Sequence, residues 1–262
     1  MKWARQLGYI SENPISELEA PSAERREDTI SKEEFEKVLS VIPCEHFRDL
    51  LVVCYETGCR PQEIRAAQAK HFNVEQKLWM FKKSESKLKR KVRVVYLTDK
   101  ANDICKKLIA RNPKGNLFLN SRGQPWTNDA VQCVMRRVRV RLGKQVLVEQ
   151  GVTISESAIK AKMLTLAPTK RRKGKITDKT KAELRCEAKR KLTQQKALKA
   201  VPPFCLYVLR HSFATRALLR GVDSLTVAQL LGHEDCSTLS KVYQHLSSNP
   251  EFLLAEAKKI SE

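Results

Sequence analysis

Five side chains in this sequence can hold an anion, move a proton or supply a nucleophile: Arg60, Lys87, Arg210, His233 and Tyr243. Arg60 stands directly before Pro61, which suits the first turn of a helix, where backbone amides already favour an anion. Taken alone it reads as readily as a surface arginine. Lys87 lies in the lysine-dense stretch 82–90 and is either a working group or a solvated loop charge. Arg210 sits among apolar residues, and a guanidinium is not buried without a partner, so it needs either an anion or a carboxylate. His233, after Leu231-Gly232, could simply cap a helix, and Tyr243 could be a core tyrosine.

The elements that must position these groups are legible in outline. Residues 1–10 read as the tail of a helix stopped near Gly8, followed by a linker with Asn13-Pro14 and Pro21. Ser31 and Glu34 form a capping-box pattern ahead of Phe35, Val38 and Leu39. Phe47 to Tyr55 is mostly apolar and predicts a buried helix ended by Gly58. Leu78–Phe81 and Val92–Leu97 predict two antiparallel strands joined by a basic hairpin loop. Thr98 or Asp99 caps a helix to about Arg111, and Leu117–Leu119 predicts another short strand. Thr127 caps a basic helix to about Leu142. Leu206 opens a helix with Leu209, Phe213, Ala217 and Leu218 on one face, and Val222–Leu231 a shorter one ended by Gly232. Ser237 caps a further helix, and a last one follows Pro250.

Composition limits the partners. The chain has 262 residues, 50 Lys and Arg against 29 Asp and Glu, and a net charge of +21. Such an excess points to a polyanion, because Lys and Arg displace counterions condensed on phosphate backbones. From Lys170 to Lys199 there are 13 basic and 3 acidic residues, a net of +10. The segment 143–200 reads as a basic insertion, either solvated and partly disordered or clamped on phosphates. No apolar run is long enough to span a bilayer, and the N-terminus lacks the apolar core of a signal peptide. The eight cysteines form no CxxC pair, and read as buried thiols in a reducing cytoplasm.

Taken together, the segments resemble the tyrosine site-specific recombinases, the phage-integrase family. Thr57-Gly58-Cys59-Arg60-Pro61-Gln62-Glu63-Ile64 is similar to the first box of that family. Leu209-Arg210-His211-Ser212-Phe213-Ala214-Thr215 is similar to its second, and Leu230-Leu231-Gly232-His233 followed by Tyr243-Gln244-His245 to its end. The basic hairpin falls between the boxes, where the family keeps its catalytic lysine, and residues 116–126 match the usual connection. The resemblance covers roughly residues 1–142 and 201–262.

The resemblance implies a mixed α+β catalytic domain, mostly helical with a small antiparallel sheet, that cuts and rejoins double-stranded DNA without cofactor, metal or ATP. Tyr243 would be the nucleophile that forms a 3′-phosphotyrosine. Arg60 and Arg210 would meet the charge on the non-bridging oxygens. Lys87 would protonate the departing 5′ oxygen, with Lys89 as a rival, and His233 would hydrogen-bond the phosphate. Glu63 would orient Arg60. The position that usually holds His or Lys three residues before the second arginine is Tyr207, a poor base with an unperturbed pKa of about 10. The interval from His233 to Tyr243 is one residue longer than the commonest spacing in the family.

Lys89, Arg90, Arg136, Arg137, Lys170, Arg171, Arg172 and Lys173 are the candidate contacts to the DNA backbone. Residues 1–26 read as the remnant of an N-terminal domain with its linker, and 27–262 as the catalytic domain. The expected assembly is a tetrameric synapse on DNA. Two other readings are a type IB topoisomerase-like nicking-closing enzyme and a silent DNA-binding remnant.

Overall fold

The computed structural model describes residues 2–18, 28–86, 91–172 and 174–233. Lys87, Lys89, Arg90, Lys173 and Tyr243 lie outside these segments, as do the two helices expected after residue 236. The expected class holds: the described chain is mostly helical, with two small antiparallel sheets.

A short helix, α1 (Lys2–Gln6), leaves Trp3 and Tyr9 exposed. The core begins at α2 (Lys32–Ser40), where Ser31 Oγ accepts from Glu34 N and Glu34 Oε2 accepts from Ser31 N, the reciprocal capping expected. The next helix, α3 (Glu45–Thr57), is apolar on nearly all sides, with Phe47, Leu50, Leu51 and Val53 fully buried. A helix of that kind belongs at the centre, and the later helices α5 (Asp99–Arg111) and α9 (Leu206–Leu219) pack on it. Gly58 ends α3 at φ +60, and Pro61 then opens α4 (Pro61–Ala66).

Strands β1 (Phe72–Asn73), β2 (Leu78–Phe81) and β3 (Arg93–Tyr96) form an antiparallel sheet in the order β1-β2-β3. Trp79 pairs with Val95 and Phe81 with Arg93, and all four face inward. Thr98, not Asp99, caps α5 through its hydroxyl. The strand expected at 117–119 is corrected. Leu117 and Phe118 are both buried, so the pattern does not alternate, and only isolated bridges form at Asn116 and Leu119.

The basic helix α6 (Asn128–Glu149) starts on Thr127 as expected but runs past Leu142. Gly143 stays helical because α8 (Lys181–Ala200) crosses it: a Cβ there would lie 2.0 Å from the Ala197 carbonyl oxygen. Between them come α7 (Glu156–Leu164) and the hairpin β4 (Thr169–Arg172) with β5 (Lys175–Asp178). The described part of 143–200 is therefore folded on α6 and is not a disordered loop. Helix α9 follows, tied to the chain before α2 by Ser212 Oγ, which accepts from Ile30 N and donates to Val208 O. Helix α10 (Ser224–Leu231) rests on α9 through Ala214, Val227, Ala228 and Leu231.

The thiol expectation is corrected in part. Cys54, Cys59 and Cys105 are buried, but Cys133 and Cys186 are exposed.

Candidate active site and basic face

The site is built around the end of α10. Gly232 closes that helix at φ +70, its amide donating to Ala228 and Gln229, while His233 N donates to Ala228 O. This capping leaves the last carbonyls of the helix open, at the negative end of its dipole. Three arginines from three distant segments fill them in order. Arg93 Nη1 donates to Leu230 O (2.9 Å), Arg210 Nη2 to Leu231 O (2.8 Å) and Arg60 Nη2 to Gly232 O. Residue 233, the expected phosphate-binding histidine, follows at once.

Each arginine is also held from behind. Arg60 is the residue ahead of α4; its backbone N–H and its Nη1 both donate to Glu63, each at 2.8 Å. Glu63 thus orients Arg60, as expected. Arg210 is 5% exposed, and its Nη1 donates to Gly58 O (2.8 Å). Of the alternatives open to it, the described residues show carbonyl partners rather than a carboxylate. The first and second boxes touch directly here, since Phe213 lies over Gly58.

Arg93 escaped the sequence reading. It is 7% exposed, its Nε donates to Glu63 Oε1 (3.1 Å), and Nη1 donates to Val94 O as well as to Leu230 O. The signal was available: Val95 and Leu97 face inward, so alternation along a strand puts Arg93 inward too. Gly232 has a packing reason beyond its backbone angle, because a Cβ there would lie 2.8 Å from Arg93 Nε.

The electrostatics follow from burial and crowding. Burial pushes the Glu63 carboxyl up, but Arg93 and the Arg60 backbone and side chain outweigh it and hold it below its ordinary value. Burial, then the neighbouring Arg60, lowers Arg210 to about 10. It remains a cation at neutral pH, inside a cluster with three guanidiniums and one carboxylate. That surplus suits an oxyanion.

Other expected residues are placed separately. Tyr207 is on α9 one turn before Arg210 and is 42% exposed. The base of the basic hairpin is anchored just ahead of residue 87. Glu85 takes Lys70 Nζ (2.9 Å), Lys82 N (3.0 Å) and His71 Nε2 (3.2 Å), and these hold its carboxyl down at about 2. His71 Nδ1 accepts from Gln68 N.

Arg136 and Arg137 of α6 join Arg141, Lys144 and, from α8, Arg190 along an open cleft of about 490 Å³. Among the described residues no acidic side chain lines it. On the hairpin, Lys170 is paired with Glu183, so part of its charge is already answered. Arg171 is exposed, and Arg172 belongs to β4. Among the described residues no cluster of His, Cys, Asp and Glu is placed to hold a metal, and no helix is long and apolar enough to cross a membrane.

Similarity to known proteins extends over most of the chain. The model described as the phage integrase family matches residues 29–152 and 160–249, which include Arg60, Glu63, Arg93, Arg210 and His233. Only 153–159 separate the two parts, so most of 143–200 falls within the match. A protein of Caldanaerobacter subterraneus subsp. tengcongensis described as "Tyrosine recombinase XerC-like" is 23% identical over 254 residues, 93% of this chain and 59% of that relative. The chain thus spans less than two thirds of that relative's length. The crystal structure of XerA recombinase matches with a TM-score of 0.53 and 16% identity, over 100% of this chain and 72% of the other. The Tn1549 transposon integrase, in complex with circular intermediate DNA, matches with a TM-score of 0.62 and 15% identity, over 99% and 76%. At these identities the likeness is one of fold.

Proposed function

Since the chain belongs to the phage integrase family, we propose that it cleaves and rejoins duplex DNA through a covalent bond to Tyr243. The observation that carries this reading is the convergence of Arg60 and Arg210, 150 positions apart in sequence, on consecutive carbonyls at one helix end. That arrangement fixes two cationic forks side by side, where the non-bridging oxygens of a phosphodiester gain charge in the transition state.

In this reaction the Tyr243 oxygen attacks the scissile phosphorus as the bond to the 5′ oxygen breaks. The phenol gives up its proton and the leaving oxygen receives one from Lys87, or from Lys89 as its rival. Attack by a 5′ hydroxyl on the phosphotyrosine reverses the step, so no external energy source is consumed. His233 hydrogen-bonds the phosphate. Tyr207, lacking a base of suitable strength, contributes at most a hydrogen bond, which leaves phenol deprotonation to His233 or water. Backbone phosphates lie along Arg136, Arg137, Lys170, Arg171, Arg172 and Lys173, with Lys89 and Arg90 nearer the cut. Exchange between paired sites takes place in a tetrameric synapse.

The test is incubation with nicked suicide duplexes followed by a denaturing gel. The wild type yields a protein–DNA adduct that survives boiling in detergent, and Tyr243→Phe yields none. An adduct that persists in that variant would place the nucleophile elsewhere.

A further inference from the structure

We infer that Arg93 is a positioning residue for the cleavage step, holding Arg60 and the 230–233 turn in the geometry that receives the phosphate. The inference deepens the recombinase reading and rests on it. A guanidinium left 7% exposed on the inner face of a small sheet gives up its hydration, a loss that must be recovered from partners of good geometry. A buried apolar residue would fill a β3 position opposite Phe81 with no such requirement. What the arginine adds is connection.

Besides Val94 O on its own strand, its donors meet two separate parts of the site, Glu63 and the end of α10. Nε, at 3.1 Å, meets the same Glu63 oxygen that takes Arg60 Nη1. That carboxylate therefore lies between two guanidiniums and is held on the Arg93 side while it orients Arg60. Nη1 reaches Leu230 O, the first of the three carbonyls that dock the arginines. Gly232 provides the room, since any Cβ at that position would lie within 3 Å of the guanidinium. Arg93 is 7% exposed, with its donors turned to Glu63 and to Leu230 O, so it is poorly placed to meet a phosphate itself. It therefore acts through Arg60 and through the backbone that carries His233.

Arg93 and Arg60 thus form one functional unit, and their losses do not add. The experiment measures single-turnover cleavage of a nicked duplex and, separately, duplex affinity at low salt, for the wild type, Arg93→Gln, Arg93→Lys, Arg60→Ala and the double variant Arg93→Gln/Arg60→Ala. Arg93→Gln should slow cleavage by roughly 10- to 100-fold, the scale on which the partners of directly acting groups operate, with affinity changed by less than about threefold. Arg93→Lys should recover part of the rate, because an ammonium can meet Glu63 but cannot also span to Leu230 O. In the double variant Arg93→Gln should cost clearly less than it does alone, the remainder being the part that acts through the Leu230 carbonyl and the turn.

Full additivity in the double variant would reduce Arg93 to a packing residue and overturn the inference, as would a wild-type rate in Arg93→Gln. Affinity falling in step with rate would also overturn it. Should Arg93→Gln fail to fold, Arg93→Lys in the same cycle decides the matter by the same criterion. A wild type that forms no adduct would overturn the recombinase reading itself, an outcome distinct from all of these.

Discussion

Phe213 covers Gly58 so closely that a Cβ on the glycine would fall 2.6 Å from the Phe213 ring. Gly58 also stands at φ +60, which L side chains rarely adopt. The two residues belong to segments more than 150 positions apart, each of which carries a site arginine. Their contact is one point where the halves of the site are joined. The carbonyl of Gly58, moreover, is the acceptor for Arg210 Nη1.

Gly58→Ala should therefore destabilise the protein by about 2–3 kcal/mol, combining the left-handed backbone angle with overpacking against an aromatic ring. Thermal melts should show the lower midpoint. Cleavage measured well below that midpoint should also be slower, because the shift displaces an Arg210 acceptor. A melting temperature equal to the wild type would mean that the turn can relax without consequence.

Arg60 and Arg210 should separate by their stability effects while sharing a kinetic one. Each alanine variant should slow cleavage about 10²-fold or more, the scale of one lost oxyanion donor, with affinity little changed. Arg210→Ala should also lower thermal stability. It leaves the Gly58 and Leu231 carbonyls without their buried donor, at about 1–3 kcal/mol. Arg60, less deeply buried, should melt closer to the wild type. Melting curves with single-turnover rates on the same preparations check both halves.

How much of this was legible beforehand depends on whether a position is decided locally. Ser31, Gly58, Pro61, Thr127 and Gly232 act on their own turns, and the helix starts and ends they predict are observed. Gly143 is the contrary case: read locally it favours a stop near Leu142, but α8 crossing at Ala197 keeps the helix going. At 117–119 the apolar run reads as a strand, whereas burial of both Leu117 and Phe118 leaves only isolated bridges. Arg60, Glu63 and Arg210 were legible from their segments. That three arginines would share one helix end was not, because no local pattern encodes which carbonyls remain open in a distant turn. Arg93 was within reach through strand alternation, but a charged residue is not expected at an inward position.

The Glu85 anchor gives a pH prediction of definite sign. Its carboxyl is held at about 2, below its ordinary value of 4.5, first by Lys70 and then by Lys82 N and His71. A depressed carboxylate contributes stability that is complete above its unfolded value and is lost as pH falls through the folded value. The melting-temperature difference between wild type and Glu85→Gln should thus be full at pH 6–7 and shrink from about pH 4.5 towards pH 2. Thermal melts across that range, at constant ionic strength, check it. A difference independent of pH would mean that the glutamine keeps the anchor by neutral hydrogen bonds.

The basic cleft should reveal itself through salt. Among the described residues, Arg136, Arg137 and Arg190 line a surface without an acidic side chain, so an anion from outside would relieve their mutual repulsion. Each phosphate contact contributes a slope of roughly −0.9 in log K against log salt. Replacing all three arginines with glutamine should flatten the slope by about two to three units. The loss of affinity should be equal for a specific and a random duplex, because contacts to phosphate position a protein without reading bases. Lys170→Gln is the internal control: its ammonium is already paired with Glu183, so its share of the slope should be well under that of an unpaired arginine. A titration of both duplexes from low to moderate salt measures all of this at once. An unchanged slope in the triple variant would turn the cleft away from DNA, and a loss confined to one sequence would assign it to base recognition instead.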